Sequence, residues 1–115
     1  MAFDVKLFGE HLPIAIKAVQ EALKDCPDTG SVNCDACAVT FPRKPSAKAQ
    51  AALETVLQQF REITWHWSSS RILGHRLLIR LRTGGQAQRS YLAAKTLCTS
   101  LQSMGWAAEV HYQTD

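Results

Sequence analysis

Phe3, Val5 and Leu7 alternate with Asp4 and Lys6, the period-two pattern of a short half-buried strand over residues 2–8. The period changes at Pro13, a residue suited to the first turn of a helix because that turn does not need its missing N–H. Ile14, Ala18, Val19, Ala22 and Leu23 then recur at helical spacing. The predicted helix ends near Cys26, since Pro27 disfavours helix in the residue before it. Residues 27–36 are dense in turn formers. Cys37, Val39 and Phe41 share one face of a predicted strand that Pro42 stops.

Pro45-Ser46 opens a second helix with Ser46 as N-cap. Its apolar stripe is Ala49, Leu53, Val56, Leu57, Phe60 and Ile63. Two strands follow, the first from about Thr64 to Arg71, with a turn near Leu73-Gly74. In the second, Leu77, Ile79 and Leu81 fall on one face and Arg76, Leu78, Arg80 and Arg82 on the other. After Thr83-Gly84-Gly85, Tyr91, Ala94, Leu97, Cys98, Leu101 and Met104 mark a third helix, with Gly105 just past its end. Trp106, Ala108, Val110 and Tyr112 share a face of the last strand.

From about residue 37 to 113 the order is strand, helix, strand, strand, helix, strand, the split βαβ order of ferredoxin-like domains. The fold class expected is therefore α+β, ferredoxin-like, with an N-terminal strand-helix extension, and residues 1–115 as one domain. At 115 residues the chain can bury a core without disulfide or metal staples. No apolar run approaches the roughly 20 residues that cross a bilayer. The N-terminus carries neither a basic nor an apolar leader segment. A cytoplasmic protein with no membrane partner is expected, its cysteines reduced.

Charge changes the picture. The formal net charge is +3, but it is unevenly distributed: residues 1–60 carry a net −1 and residues 61–115 a net +4. No acidic residue lies between Glu62 and Glu109, an interval holding Arg71, Arg76, Arg80, Arg82, Arg89 and Lys95. If helices cover one face of the sheet, the Arg-rich face of the second hairpin strand lies on the other, and a row of guanidinium groups attracts phosphates and acidic partners.

Trp65 and Trp67, two residues apart, must share a face, and the hairpin register decides which. A two-residue loop at Leu73-Gly74 sets Trp67 opposite Arg80 and Trp65 opposite Arg82, interleaving aromatics with cations as single-strand nucleic-acid binders do. A register shifted by one residue puts both indoles in the core with Leu77, Ile79 and Leu81. The binding candidates are thus Arg71, Arg76, Arg80, Arg82, Arg89, Trp65 and Trp67.

Other chemistry is thinner. Cys34-Asp35-Ala36-Cys37 is a single CxxC with Cys26 upstream. Cys26, Cys34 and Cys37 could supply three zinc ligands and His11, His66 or His111 a fourth, but no second ligand pair of the usual spacing exists. Thr83-Gly84-Gly85 lacks the Lys-Ser/Thr of a phosphate loop and reads as a plain turn. The four histidines form no pattern with a nucleophile, and carboxylates are scarce in the second half. The sequence therefore leads to a non-enzymatic binding or regulatory module without a cofactor. Its expected partner is nucleic acid or another polyanion. The alternatives are an acidic protein docked by an inhibitor, adaptor or small regulatory subunit, a homodimer joined at sheet edges, and a cysteine-based zinc module.

Overall fold

In a computed structural model the described residues are 3–26, 35–82 and 87–112. Within them, helix α1 (Val5–Leu23) is followed by β1 (Ala36–Phe41), α2 (Ala47–Leu57), β2 (Ile63–Ser70), β3 (Gly74–Leu81), α3 (Ala87–Ser103) and β4 (Ala108–His111). These three helices and four strands make an α+β fold, and the sheet runs β2-β3-β1-β4 with every neighbouring pair antiparallel. Among the described residues no helix is long and apolar enough to cross a membrane.

The N-terminal strand expected over residues 2–8 is instead the start of α1, which runs through Pro13. Asp4 explains the early start: its carboxylate accepts the Leu7 N–H at 3.0 Å, an N-cap. Once the helix begins at Val5, its buried face is Phe8, Leu12, Ala15, Ile16, Val19 and Leu23. Ile14, one of the apolar residues at helical spacing, is 58% exposed. The alternation of Phe3, Val5 and Leu7 does not reflect a sheet. Phe3 is an aromatic plug ahead of the helix, its ring 4.7 Å from Phe41, 4.9 Å from Trp106 and 5.4 Å from Phe8. Pro13 forfeits the helical bond to Gly9, and Gly9 has its own reason to lack a side chain: an added Cβ would sit 3.0 Å from Val56 Cγ1 on α2. The two helices approach closely there.

Ser46 caps α2, accepting the Ala49 N–H at 3.1 Å. The helix stops at Leu57, so Ile63 belongs to β2 rather than to the helical stripe. α3 ends as its glycine forecasts. Gly105 has φ +97°, its N–H meets the Gln102 carbonyl, and the Trp106 N–H reaches back to Leu101 at 3.0 Å, the paired bonds of a Schellman motif. Trp106 then points its indole N–H at His11 Nδ1, 3.0 Å away on α1.

All three helices feed one core. Cys37, Val39 and Phe41 of β1, Leu77 and Ile79 of β3, Ile63 of β2 and Ala108 of β4 pack against Phe8, Leu12, Leu53, Leu57, Leu97 and Leu101. The opposite face of the sheet holds a separate small cluster, Ala36, Ala38 and Leu78, to which no described helix contributes.

Replacing Gly105 by alanine forces a Cβ into a left-handed backbone and should lower the unfolding free energy by about 1–2 kcal/mol. Urea denaturation should show a reduced midpoint with an unchanged slope.

Candidate anion-binding face

The hairpin register fixes what the second face carries. Ser70 pairs with Gly74, so Arg71, Ile72 and Leu73 form a three-residue connection. Gly74, the first residue after this connection, takes φ +77°, and the Ser70 hydroxyl accepts the Leu73 N–H at 2.8 Å. Trp67 therefore stands opposite Leu77 and Trp65 opposite Ile79, not opposite Arg80 and Arg82. The displacement is by an odd number of residues, which moves both indoles to the helix side. There they are half-buried against the core, and Trp67 donates its indole N–H to Glu54 Oε2 at 2.8 Å. The interleaving of Trp with Arg does not occur.

The arginines go to different places. Arg76 and Arg80 lie on the second face, opposite Ser68 and Thr64. Arg82, exposed just past β3, donates its Nε–H to the Ile63 carbonyl at 3.1 Å and clamps the start of β2. Arg71 is exposed in the hairpin loop. Arg89 belongs elsewhere: its Nη1 donates to the carbonyls of Leu23 at 2.9 Å and Cys26 at 3.0 Å. It completes the C-terminal end of α1, where orphan carbonyls favour a cation.

In place of tryptophans, the structure sets histidines beside the two face arginines. Arg80 Nη1 donates to His66 Nδ1 at 3.2 Å. Arg76 Nη2 donates to His111 Nδ1 at 3.0 Å, and its Nη1 lies 3.8 Å from Glu109 Oε1. Because β1 lies between β3 and β4, the Arg76 side chain must cross that strand to reach His111 and Glu109, and it crosses where Ala36 and Ala38 leave room. Arg76 ends up only 3% exposed, and its Nε–H, also buried, meets no acceptor among the described residues.

A guanidinium has donors only. Both contacts therefore require an imidazole whose Nδ1 lone pair is free to accept, with its proton on Nε2. The protonation equilibria agree. Burial lowers His66 from its ordinary 6.5, helped by the charge of Arg80 and then by His111. Burial also lowers His111, helped by Arg76 and Arg80, while Asp35 and Glu109 act weakly the other way. At neutral pH the face thus presents guanidinium N–H groups and neutral imidazole Nε2–H groups, donors suited to oxygen anions.

In the sequence His66 and His111 figured only as possible fourth zinc ligands, and Glu109 not as a site residue at all. The signal was present: a strand with Ala108 and Val110 inward must send Glu109 and His111 to the opposite face, and His66 lies between two inward tryptophans.

The other candidates are apart from this face. Cys37 is buried in the core, Cys26 is half-buried after α1, and Cys34 and the Thr83-Gly84-Gly85 turn lie outside the described residues. Among the described residues no three His, Cys, Asp or Glu side chains are grouped as metal ligands. A cleft of about 700 Å³ lies at the start of α2, lined by Phe3, Phe41, Pro42, Arg43, Lys44, Pro45, Ser46 and Ala49. No known protein family, curated protein or solved structure matches this chain.

Because both histidines have folded values below the ordinary 6.5, the unfolded chain takes up protons first as pH falls. Stability from these groups should be complete above about pH 6.5 and decline below it, down through the folded values. Histidine ring NMR titration should find both below the ordinary value. Arg80→Gln should move His66 upward while leaving part of the depression, which comes from burial.

Proposed function

We propose that this chain is a non-enzymatic binding module that takes an anionic partner on the second face of its sheet, with the phosphate backbone of a nucleic acid or another polyanion as the preferred class. The observation that carries the reading is the grouping of Arg76 and Arg80 with two neutral histidines on a face to which no described helix adds an apolar side chain. The strand order β2-β3-β1-β4 supports a ferredoxin-like split βαβ running from β1 to β4, with α1 as the addition.

Catalysis is disfavoured by the same hydrogen bonds. A general base needs an available lone pair, and the Nδ1 lone pairs of His66 and His111 are taken by guanidinium donors. Base stacking is also disfavoured, because Trp65 and Trp67 pack on the helix side. This favours partners recognised by charge, and it keeps an acidic protein as the second reading.

The test is anisotropy of labelled single-stranded DNA and RNA at two salt concentrations. Binding should weaken as salt rises, and Arg80→Ala should lower both the affinity and the salt slope, the latter by about 1. Arg89→Ala, whose target is the end of α1, should leave the salt slope unchanged. Arg76 is an unsuitable probe because removing a buried guanidinium disturbs the sheet itself. Absence of binding to either nucleic acid at low salt would hand the face to an acidic protein partner.

A further inference from the structure

Arginine and histidine can both carry positive charge, yet on the second face of the sheet they are hydrogen-bonded to each other. His66 Nδ1 on β2 accepts from Arg80 Nη1 at 3.2 Å, in an exposed position. His111 Nδ1 at the end of β4 accepts from Arg76 Nη2 at 3.0 Å, in a partly buried one. A guanidinium stays charged at every pH a folded protein meets and has no lone pair to offer. The imidazole is therefore the member that must adapt, and it keeps the bond only while neutral. A proton on Nδ1 removes the acceptor and leaves two cations at the former bond distance.

The two pairs belong to one group of charges that spans the sheet. His66 lies opposite Leu78, and Arg80 is two residues further along β3, so the Arg80 side chain reaches diagonally to the β2 edge. Arg76 reaches the other way, over β1, to β4. The histidines thus sit on the two edge strands, which lie about 14 Å apart at the usual strand spacing, with the guanidinium groups between them. The charged groups acting on His66 are Arg80 on β3 and His111 on β4. Those acting on His111 are Arg76 and Arg80 on β3, Asp35 just before β1, and Glu109 on β4. Both acids favour a protonated His111, but Glu109 is 64% exposed, so its field is screened. Burial is the first cause that holds both rings below the ordinary 6.5, and the guanidinium charges add to it.

We propose that anion binding on this face is coupled to proton uptake, the arriving anion replacing the Arg80–His66 contact and turning both residues into cationic donors that hold it together. The inference rests on the reading of the face as an anion site and adds the condition under which that site is strongest. An oxygen anion beside Arg80 accepts the Nη1–H that His66 had accepted, and its charge offsets that of the guanidinium. His66 is left with a free Nδ1 lone pair and less repulsion, takes a proton from solvent there, and donates it in a hydrogen bond to the anion. His111 follows to a lesser degree, because its partner Arg76 is only 3% exposed and so shielded from the anion. The anion-bound value of His66 therefore lies above its free value. Affinity is constant above both values, rises as pH falls between them, and levels off below both. Each pH unit that separates the two values strengthens binding about tenfold.

The test uses the full chain and oligothymidylate, whose phosphodiesters and bases keep their charge across the range, with polyvinyl sulfate as a second non-titrating polyanion. Calorimetry of the wild-type chain at about pH 6.5, in two buffers of different ionisation enthalpy, should record net proton uptake on binding. Anisotropy titrations at constant ionic strength should show affinity rising about three- to tenfold from about pH 8 to about pH 5.5. The lower limit is set where near-UV circular dichroism shows the chain still folded. His66→Gln, whose amide oxygen still accepts from Arg80 but takes no proton, should lose most of this rise, and His111→Gln a smaller part. His75→Gln, on the hairpin but bonded to Ser69, should keep it. Binding with neither proton uptake nor pH dependence would overturn the coupling and leave the anion face standing, as would a full rise in the variant carrying both His66→Gln and His111→Gln. Failure of both polyanions to bind at any of these pH values would instead remove the face as an anion site, and the coupling with it.

Discussion

Strand β1 is constrained on both faces, and much of the molecule follows from that constraint. It has a hydrogen-bonded neighbour on each edge, β3 and β4, so it has no edge left for solvent. Toward the helices it must supply core, and Cys37, Val39 and Phe41 do so. Toward the other side, where a guanidinium passes over it, it supplies only Ala36, Ala38 and Thr40, the last directly opposite Arg76. Alternating apolar and small side chains along six residues thus serves two different layers. Bulk at Ala36 or Ala38 would displace Arg76, and polarity at Val39 would open the core.

Arg76 is the expensive member of that arrangement. A guanidinium removed from water needs acceptors, and an ion pair alone seldom offsets the desolvation. Glu109 supplies charge at 3.8 Å, but it is itself well exposed, so its attraction is screened. The closer contact is the neutral His111 nitrogen at 3.0 Å. The cost of burying the cation is therefore shared with an imidazole, which resists protonation in return. The same exchange recurs between Arg80 and His66. Two arginine–histidine pairs thus share this face.

The elements with strong periodicity were legible in the sequence: α2 with its Ser46 cap, the alternation of β3, and the Gly105 terminus of α3. Two failures share a physical origin. At the N-terminus, three alternating apolar residues resembled a strand, yet the capping carboxylate of Asp4 and the apolar pair Phe8 and Leu12 one turn apart commit the backbone to helix. In the hairpin, the face occupied by Trp65 and Trp67 depended on loop length, and a glycine in the left-handed region at 74 rather than within the loop decided it. Side-chain pairings across strands were not legible, because they require the register first. That is why the alternation could put Arg76 and Arg80 on one face while their pairing with His111 and His66 stayed hidden. Arg89 was misplaced for a related reason: charge patterning shows where cations occur but not which carbonyls they reach.

The absence of tryptophan from the second face constrains what it can discriminate. A partner read by base identity would need aromatic planes or groove-directed side chains, and the face offers N–H donors instead. Such donors respond to the spacing and charge of oxygen anions and are indifferent to the groups between them. Arginine adds a planar, fixed fork that favours paired oxygens. The histidines add a second condition, since an arriving anion offsets the guanidinium charge that keeps them neutral. Proton uptake would then accompany binding, and the balance between the two is set by how much of the depression comes from burial, which an anion does not relieve, and how much from Arg76 and Arg80, which it does.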